Sequence, residues 1–381
     1  MGNRDNQDVA LVLCYKDFAY WTGYSSVGLN VAAITTAAEL AKHGVDVQVL
    51  GVKNNVDLCD SLCAINGERK IEGLGPITNC VIMAPWLSPL DLQALARYFT
   101  GIEFTVQSHC NVAALHGDYR GIGNFRNYAD LMNELPNLSL AGNSASFADW
   151  FSETYVVNVY LLPDLYPAPT GAPPPKPAHS GLNLGAFGAL RPEKNIQSAC
   201  AAALLMQQKL QVPVNFHMNV GGESRGREIV QAIDQMSQGV PGFTVIKHKW
   251  MPWSDFTKLV ATMDLLLQPS FTESFNVVTA DGVYNFVPSV VSPGIQWAPD
   301  SWKADPDDPT DIVKKGIRLL ADPEAWAEGK YALKLHDMRG SRLWLGFLYP
   351  HGFPTCQSPA RRFPRCWGRR MFDRLRKFLG F

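Results

Sequence analysis

Between Pro163 and Ser180 the chain carries seven prolines, at 163, 167, 169, 173, 174, 175 and 177. Each proline removes a backbone donor and fixes φ, so a run this dense forms neither a helix nor a central strand. It reads as a stiff connection between two folded parts. With 381 residues, the chain is also too long for one ordinary core. The expected division is a first domain over 1–162, the connection over 163–180, a second domain over 181–347 and a tail over 348–381.

Both halves alternate strand and helix patterns. Val9-Ala10-Leu11-Val12-Leu13-Cys14-Tyr15 is a continuous apolar run, as in a strand covered on both faces. A turn through Gly23, Ser25, Ser26 and Gly28, a helix from Asn30 to Lys42 and a strand from Val45 to Val52 complete a βαβ unit, hence a parallel sheet. That turn matches neither a dinucleotide fingerprint nor a phosphate loop; its glycines suit a tight turn as well as a ligand. Further strands are expected over 79–84, 102–107, 138–141 and 156–161, with helices over 89–98 and 146–151. Ligands of such doubly wound domains gather at the carboxyl ends of the strands. His109 lies at one such end, either as a ligand-facing group or as a hydrogen-bonded structural histidine.

Beyond the connection, Gly181 to Ala186 restarts the pattern. Arg191 and Lys194 fall in the turn before a helix over 195–209, a place suited to a diphosphate because a helix N-terminus favours anions. Strands follow at 214–220, 243–246 and 265–267, and Trp250 and Trp253 sit between the last two as stacking or anchoring residues. After 265–267 comes a turn with Ser270, Glu273 and Ser274, then a helix over 277–283. Glu273 and Asp281 are placed to look into one cleft. Asp305 and Asp307 form a D-x-D between prolines, read as loop and helix cap, with Thr310 or Asp311 capping.

These segments carry a resemblance. Glu273-Ser274-Phe275-Asn276, the helix with Asp281, and Asn285-Phe286-Val287-Pro288-Ser289-Val290-Val291 resemble the E-x7-E region of retaining glycosyltransferases of the GT-B fold, family four in particular. There the motif reads Glu-Gly-Phe-Gly, a helix with a second Glu, then Gly-Val-Pro-Val-Val. Here Ser274 and Asn276 replace glycines, and Asp281 is shorter by one methylene. The segment Gly188 to Asn195 is similar to the family's Gly-Arg-Leu-x-Pro-Glu-Lys-Gly. Lys194 is in register, Ala189 stands where the family has Arg, and Arg191 comes two residues late. The likeness covers about residues 9 to 347 and is specific only in 191–195 and 273–291.

The resemblance implies an α/β protein of two Rossmann-like domains facing across a cleft, with acceptor on the first and donor on the second. It implies a metal-independent, hexosyltransferase-like enzyme without cofactor, whose substrate is a UDP- or GDP-linked sugar. Glu273, His109 and Lys194 would be catalytic; Arg191, Lys194, Ser274, Phe275, Asn276 and Asp281 would bind donor; Gly23, Ser25, Ser26 and Gly28 would border the acceptor. Within that reading Glu273 holds the sugar's hydroxyls and Asp281 the ribose. The rival readings are a degenerate protein that only binds nucleotide sugar and an epimerase of the same fold. The acceptor stays open among glycolipid, polysaccharide, small molecule, protein and hydroxylated DNA base. The last belongs there because residues 188–195 and 273–276 resemble virus-encoded members.

Composition sets the remaining bounds. Apolar residues at 46% and charged residues at 18% describe a globular chain, not a disordered one. The eight cysteines show no C-x2-C pairing and read as reduced and inert. The polar start and the lack of a long apolar run predict a cytoplasmic protein without a signal peptide or membrane span. Residues 331–381 hold 11 Lys/Arg against 2 Asp/Glu, whereas the whole chain holds 34 and 35. The tail therefore reads as a basic amphipathic segment that either lies on an anionic surface, a membrane (to which the protein would then be peripheral) or DNA, or packs back onto the first domain with its arginines solvated.

Overall fold

The computed structural model describes residues 9–17, 27–117, 119–176, 179–221 and 226–350. Gly23, Ser25, Ser26 and the tail from 351 onward lie outside the described residues.

The first half builds one parallel sheet from β1 (Ala10–Lys16), β2 (Asp46–Val52), β3 (Asn79–Met83), β4 (Glu103–Ser108), β5 (Leu138–Gly142) and β6 (Val159–Leu161), ordered β2-β1-β3-β4-β5-β6. Helices α1 (Val27–Lys42), α2 (Asn55–Ile71), α3 (Pro89–Tyr98), α4 (Tyr119–Leu131) and α5 (Ala145–Tyr155) make the crossovers. The apolar run of β1 is central: Leu11, Val12, Leu13 and Cys14 are all buried, with alternate residues feeding a separate apolar cluster on each face. The expected strand over 156–161 begins later, at Val159. Val156 closes α5 with a left-handed φ of 54°, which no strand residue adopts.

The second half forms a five-stranded parallel sheet, β11-β10-β7-β8-β9, from β7 (Leu182–Ala186), β8 (Val214–Val220), β9 (Phe243–Lys249), β10 (Leu265–Gln268) and β11 (Ser289–Val291). Helices α6 (Ile196–Leu210), α7 (Gly226–Ser237), α8 (Trp253–Val260), α9 (Val277–Tyr284) and α10 (Pro309–Ala321) cover it. The cap of α10 is Asp308, whose Oδ1 accepts from Thr310 N at 2.8 Å, not the expected Thr310 or Asp311. Pro309 takes the first helical position, where no donor is needed. The six described cysteines are free thiols; Cys14, Cys80 and Cys200 are buried and Cys63 is exposed, so the set is only partly interior.

From sequence alone a helix is expected over 324–336; the last described helix, α11 (Ala325–Leu348), outruns that span and joins the two halves. Leu333 packs in the cluster under the second sheet, whereas Trp344 and Leu348 pack with Leu13, Leu162 and Leu165 under the first. Residues 181–347 thus end inside the core of the other half. Close approach of helix and connection depends on Gly340, where an added Cβ would lie 2.5 Å from Leu165 Cδ2. Trp344 Nε1 donates to Pro163 O at 2.8 Å, fixing the start of the proline-rich connection to the helix. Trp344→Ala removes both a fully buried ring and that bond. It is expected to destabilise the fold by about 3–5 kcal/mol, read from chemical denaturation.

Candidate functional site

The carboxyl ends of both sheets face the same seam, and most of the polar side chains there belong to turns rather than to strands. The turn after β10 holds Glu273 with its side chain 8% exposed. Three groups donate to Glu273 Oε1: Lys194 Nζ at 2.5 Å, Ser270 Oγ at 2.8 Å and Asn276 Nδ2 at 2.8 Å. Oε2 takes no bond from the described residues. Asn276 adopts φ 65° at the head of α9, and its Oδ1 accepts from Thr279 N at 2.8 Å. Asparagine is among the few non-glycine residues that enter this region readily, and it adds a helix cap that glycine lacks.

Lys194 reaches Glu273 from the turn after β7. That turn is laced to its neighbour by Phe271 N donating to Glu193 O at 2.8 Å and by Asn195 Nδ2 donating to Pro269 O at 3.0 Å and Pro306 O at 2.7 Å. Arg191 heads the same turn and is exposed. The structure therefore brings Lys194 and Glu273 into direct contact and leaves Arg191 at the rim.

Across the seam, His109 follows β4 with its side chain 11% exposed. Its Nε2 faces Gln107 Oε1 at 3.1 Å, and its Nδ1 lies 3.3 Å from Asn143 Nδ2 and 3.5 Å from Asp164 Oδ1. Burial works to raise the Asp164 carboxyl, yet His109, Asn143 and His336 together hold it below the ordinary carboxylate value. Three contacts tie the halves here: Asn111 Nδ2 donates to Glu273 O, Asn143 Nδ2 to Ser274 Oγ at 3.1 Å, and Ser274 Oγ to His109 O at 3.2 Å. Phe275 is buried, its ring stacked against those of Tyr166 and Trp297. Gly28 is exposed near the start of α1, with nothing near a would-be Cβ.

Asp281 departs from expectation. It is 1% exposed, and its Oδ1 accepts from Tyr166 OH at 2.5 Å and Trp253 Nε1 at 2.7 Å. In this conformation it belongs to a sealed contact among α8, α9 and the interdomain connection, not to an open cleft. Trp253 is likewise an anchor, while Trp250 Nε1 donates to Gly221 O at 3.0 Å. Asn143, Asp164, Tyr166 and Asn111 were not anticipated as site residues. Only their positions, at strand ends and in the connection, gave a sign of them.

No family model and no curated protein matches this chain. Solved structures do. Sucrose-phosphate synthase from Thermosynechococcus elongatus is 14% identical over 90% of this chain and 98% of its own, with a TM-score of 0.58. An Anabaena protein, HepE, solved with UDP and glucose, is 12% identical over 90% and 100%, with a TM-score of 0.57. Staphylococcus aureus TarM is 15% identical at a TM-score of 0.50; the match covers 78% of this chain, which spans 59% of TarM's length.

The fold is GT-B.

In this GT-B chain the sealed acid has a measurable consequence. Burial pushes the Asp281 carboxyl up to about 7, against the lowering effect of Tyr166 and Trp253. An acid raised in this way stabilises the fold fully below its unfolded value near 3.8, and that stability is lost as pH rises through about 7. Asp281→Asn keeps an acceptor for both donors and removes the titration. Its melting temperature is expected to fall less than that of the unaltered chain between about pH 4 and about pH 7. Asp337, raised to about 8 by burial, leaves a residual slope. Equal pH profiles for the two proteins would count against the assignment.

Proposed function

We propose that the chain is a retaining glycosyltransferase that moves a sugar from a nucleotide-sugar donor to a hydroxyl acceptor. The observation that carries this reading is the Lys194–Glu273 contact, which joins the turns after β7 and β10 at the strand ends of the second sheet. A lysine and an exposed arginine beside the start of α6 suit a diphosphate: charge-assisted bonds and the helix end both favour it. Glu273, fixed through Oε1, keeps Oε2 as an acceptor for sugar hydroxyls. When a diphosphate arrives, Lys194 gains a second anionic partner and can share its charge between the donor's two ends. That charge stabilises the phosphate oxygen as the anomeric bond breaks. GT-B neighbours solved with UDP agree with a nucleotide donor.

His109 acts in this reading by position. Both its ring nitrogens already face side chains of the first sheet and the connection, so it shapes the sugar pocket and is not a free base. The departing phosphate takes the acceptor proton, and no metal ion is required. A binder without turnover is the second reading, favoured by the sealing of Asp281. Release of nucleoside diphosphate from UDP-glucose or GDP-mannose separates the two.

Lys194→Ala is expected to weaken affinity for the matching nucleoside diphosphate by about 1.5–3 kcal/mol, measured by calorimetry. Glu273→Ala should lower turnover by at least tenfold, the scale of one lost charged bond in the transition state, and should also lower the melting temperature, because Lys194, Ser270 and Asn276 lose their common acceptor. Turnover that survives Glu273→Ala, or that requires a divalent ion after EDTA treatment, would contradict this mechanism.

A further inference from the structure

A cavity of about 660 Å³ lies beside the candidate site and shares only its Ser274 wall with the catalytic turn. Asn143 closes it from the first sheet, Trp297 from the segment after β11, and Glu328, Tyr331 and Arg339 from α11. Both halves and the joining helix therefore contribute to one pocket.

Its lining has a defined chemistry. Trp297 is held rigidly: its Nε1 donates to Phe275 O at 2.6 Å and its ring stacks on Phe275 at 5.6 Å. Tyr331 is 65% exposed, a large aromatic that folding alone does not require at the surface. Asn143 is 4% exposed and uses its Nδ2 toward Asp164, Ser274 and His109, but its Oδ1 is buried without a hydrogen-bond partner among the described residues. A buried acceptor left unpaired is costly, so this oxygen suits a ligand that brings a hydroxyl donor. One carboxylate, Glu328, and one cation, Arg339, balance in charge, which does not favour a phosphate. Aromatic rings with amide, hydroxyl and balanced charged groups match a sugar, whose rings present C–H faces and whose rims both donate and accept.

We propose that this cavity binds a neutral carbohydrate, that one hydroxyl of the bound sugar donates to Asn143 Oδ1, and that a second hydroxyl, left free by that bond, is the acceptor of the transfer. The acceptor role rests on the transferase reading above. In the step, the acceptor oxygen bonds to the donor's anomeric carbon and that carbon's bond to the diphosphate oxygen breaks. The electron pair and the hydroxyl proton leave with the nucleoside diphosphate. Because the walls come from both halves, carbohydrate and donor each bind better once the other has closed the seam.

The test uses the full chain, UDP-glucose and GDP-mannose as donors, and maltotriose, cellotriose and chitotriose as acceptor probes. At least one probe should be extended by a single sugar. Its KM should rise roughly tenfold in Tyr331→Ala, the worth of one aromatic contact, with kcat little changed. Arg339→Ala is a second exposed substitution that guards against an accident of one variant, and melting temperatures report on folding. Extension with wild-type acceptor KM in both variants overturns the proposal. So does a chain that binds UDP or GDP yet neither extends nor binds any probe. A chain that binds no nucleotide fails the transferase reading instead, and calorimetric binding of a trisaccharide lost in Tyr331→Ala would still support the carbohydrate site.

Discussion

Glu273 is tied at both ends, and the arrangement of the seam follows from that. Its carboxylate holds Lys194 from the neighbouring turn, while its carbonyl accepts from Asn111, which follows β4 of the first sheet. A parallel sheet leaves the carboxyl ends of its strands with polar groups that no ladder satisfies. Here two such edges face each other and satisfy one another through side chains of turns. Removing Glu273 would strip Lys194, Ser270 and Asn276 of a common acceptor in a place largely shut from water.

The second constraint is the way the connection is clamped. Its first residues, Pro163, Asp164 and Tyr166, bond to Trp344, His336 and Asp337 on α11. Tyr166 then reaches through to Asp281 on α9. A chain that only linked two domains would need none of these bonds. They make the proline-rich run a structural member, with two acids, Asp281 and Asp337, held neutral over part of the physiological range by burial.

The sequence disclosed this architecture unevenly, for physical reasons. Strands buried on both faces, such as β1 and β10, announce themselves as unbroken apolar runs, and the seven prolines mark the connection. The Lys194 and Glu273 turns were legible because helix starts favour particular residue types. Val156 was not, since a left-handed β-branched residue defies local preference and is held by its surroundings. The extent of α11 was hidden because glycine is a poor helix former and both Gly340 and Gly346 fall within it, whereas Gly340 is there to let Leu165 approach. Asp281 was misread because spacing gives a distance along the chain but not the face a helix turns toward Tyr166 and Trp253. Asn143 and Asp164 carried no signal of their own; what they do depends on partners far away in sequence.

The balance of forces at the seam bears on how the protein would work. Each half keeps its own apolar core, and among the described residues only Val31, Ile34 and Tyr166 of the first half and the connection pack in or against the cluster of the second. Most of what joins the two edges is hydrogen bonding, and water replaces hydrogen bonds at small net cost, about 1 kcal/mol each. Separating the edges would therefore cost far less than disrupting either core, and α11 would hold the halves together while they part. A substrate that bridges the edges restores the same kind of bonds that opening loses. Closure driven by polar contacts in this way is reversible, as the proposed transfer would need in order to admit substrates and let the product leave.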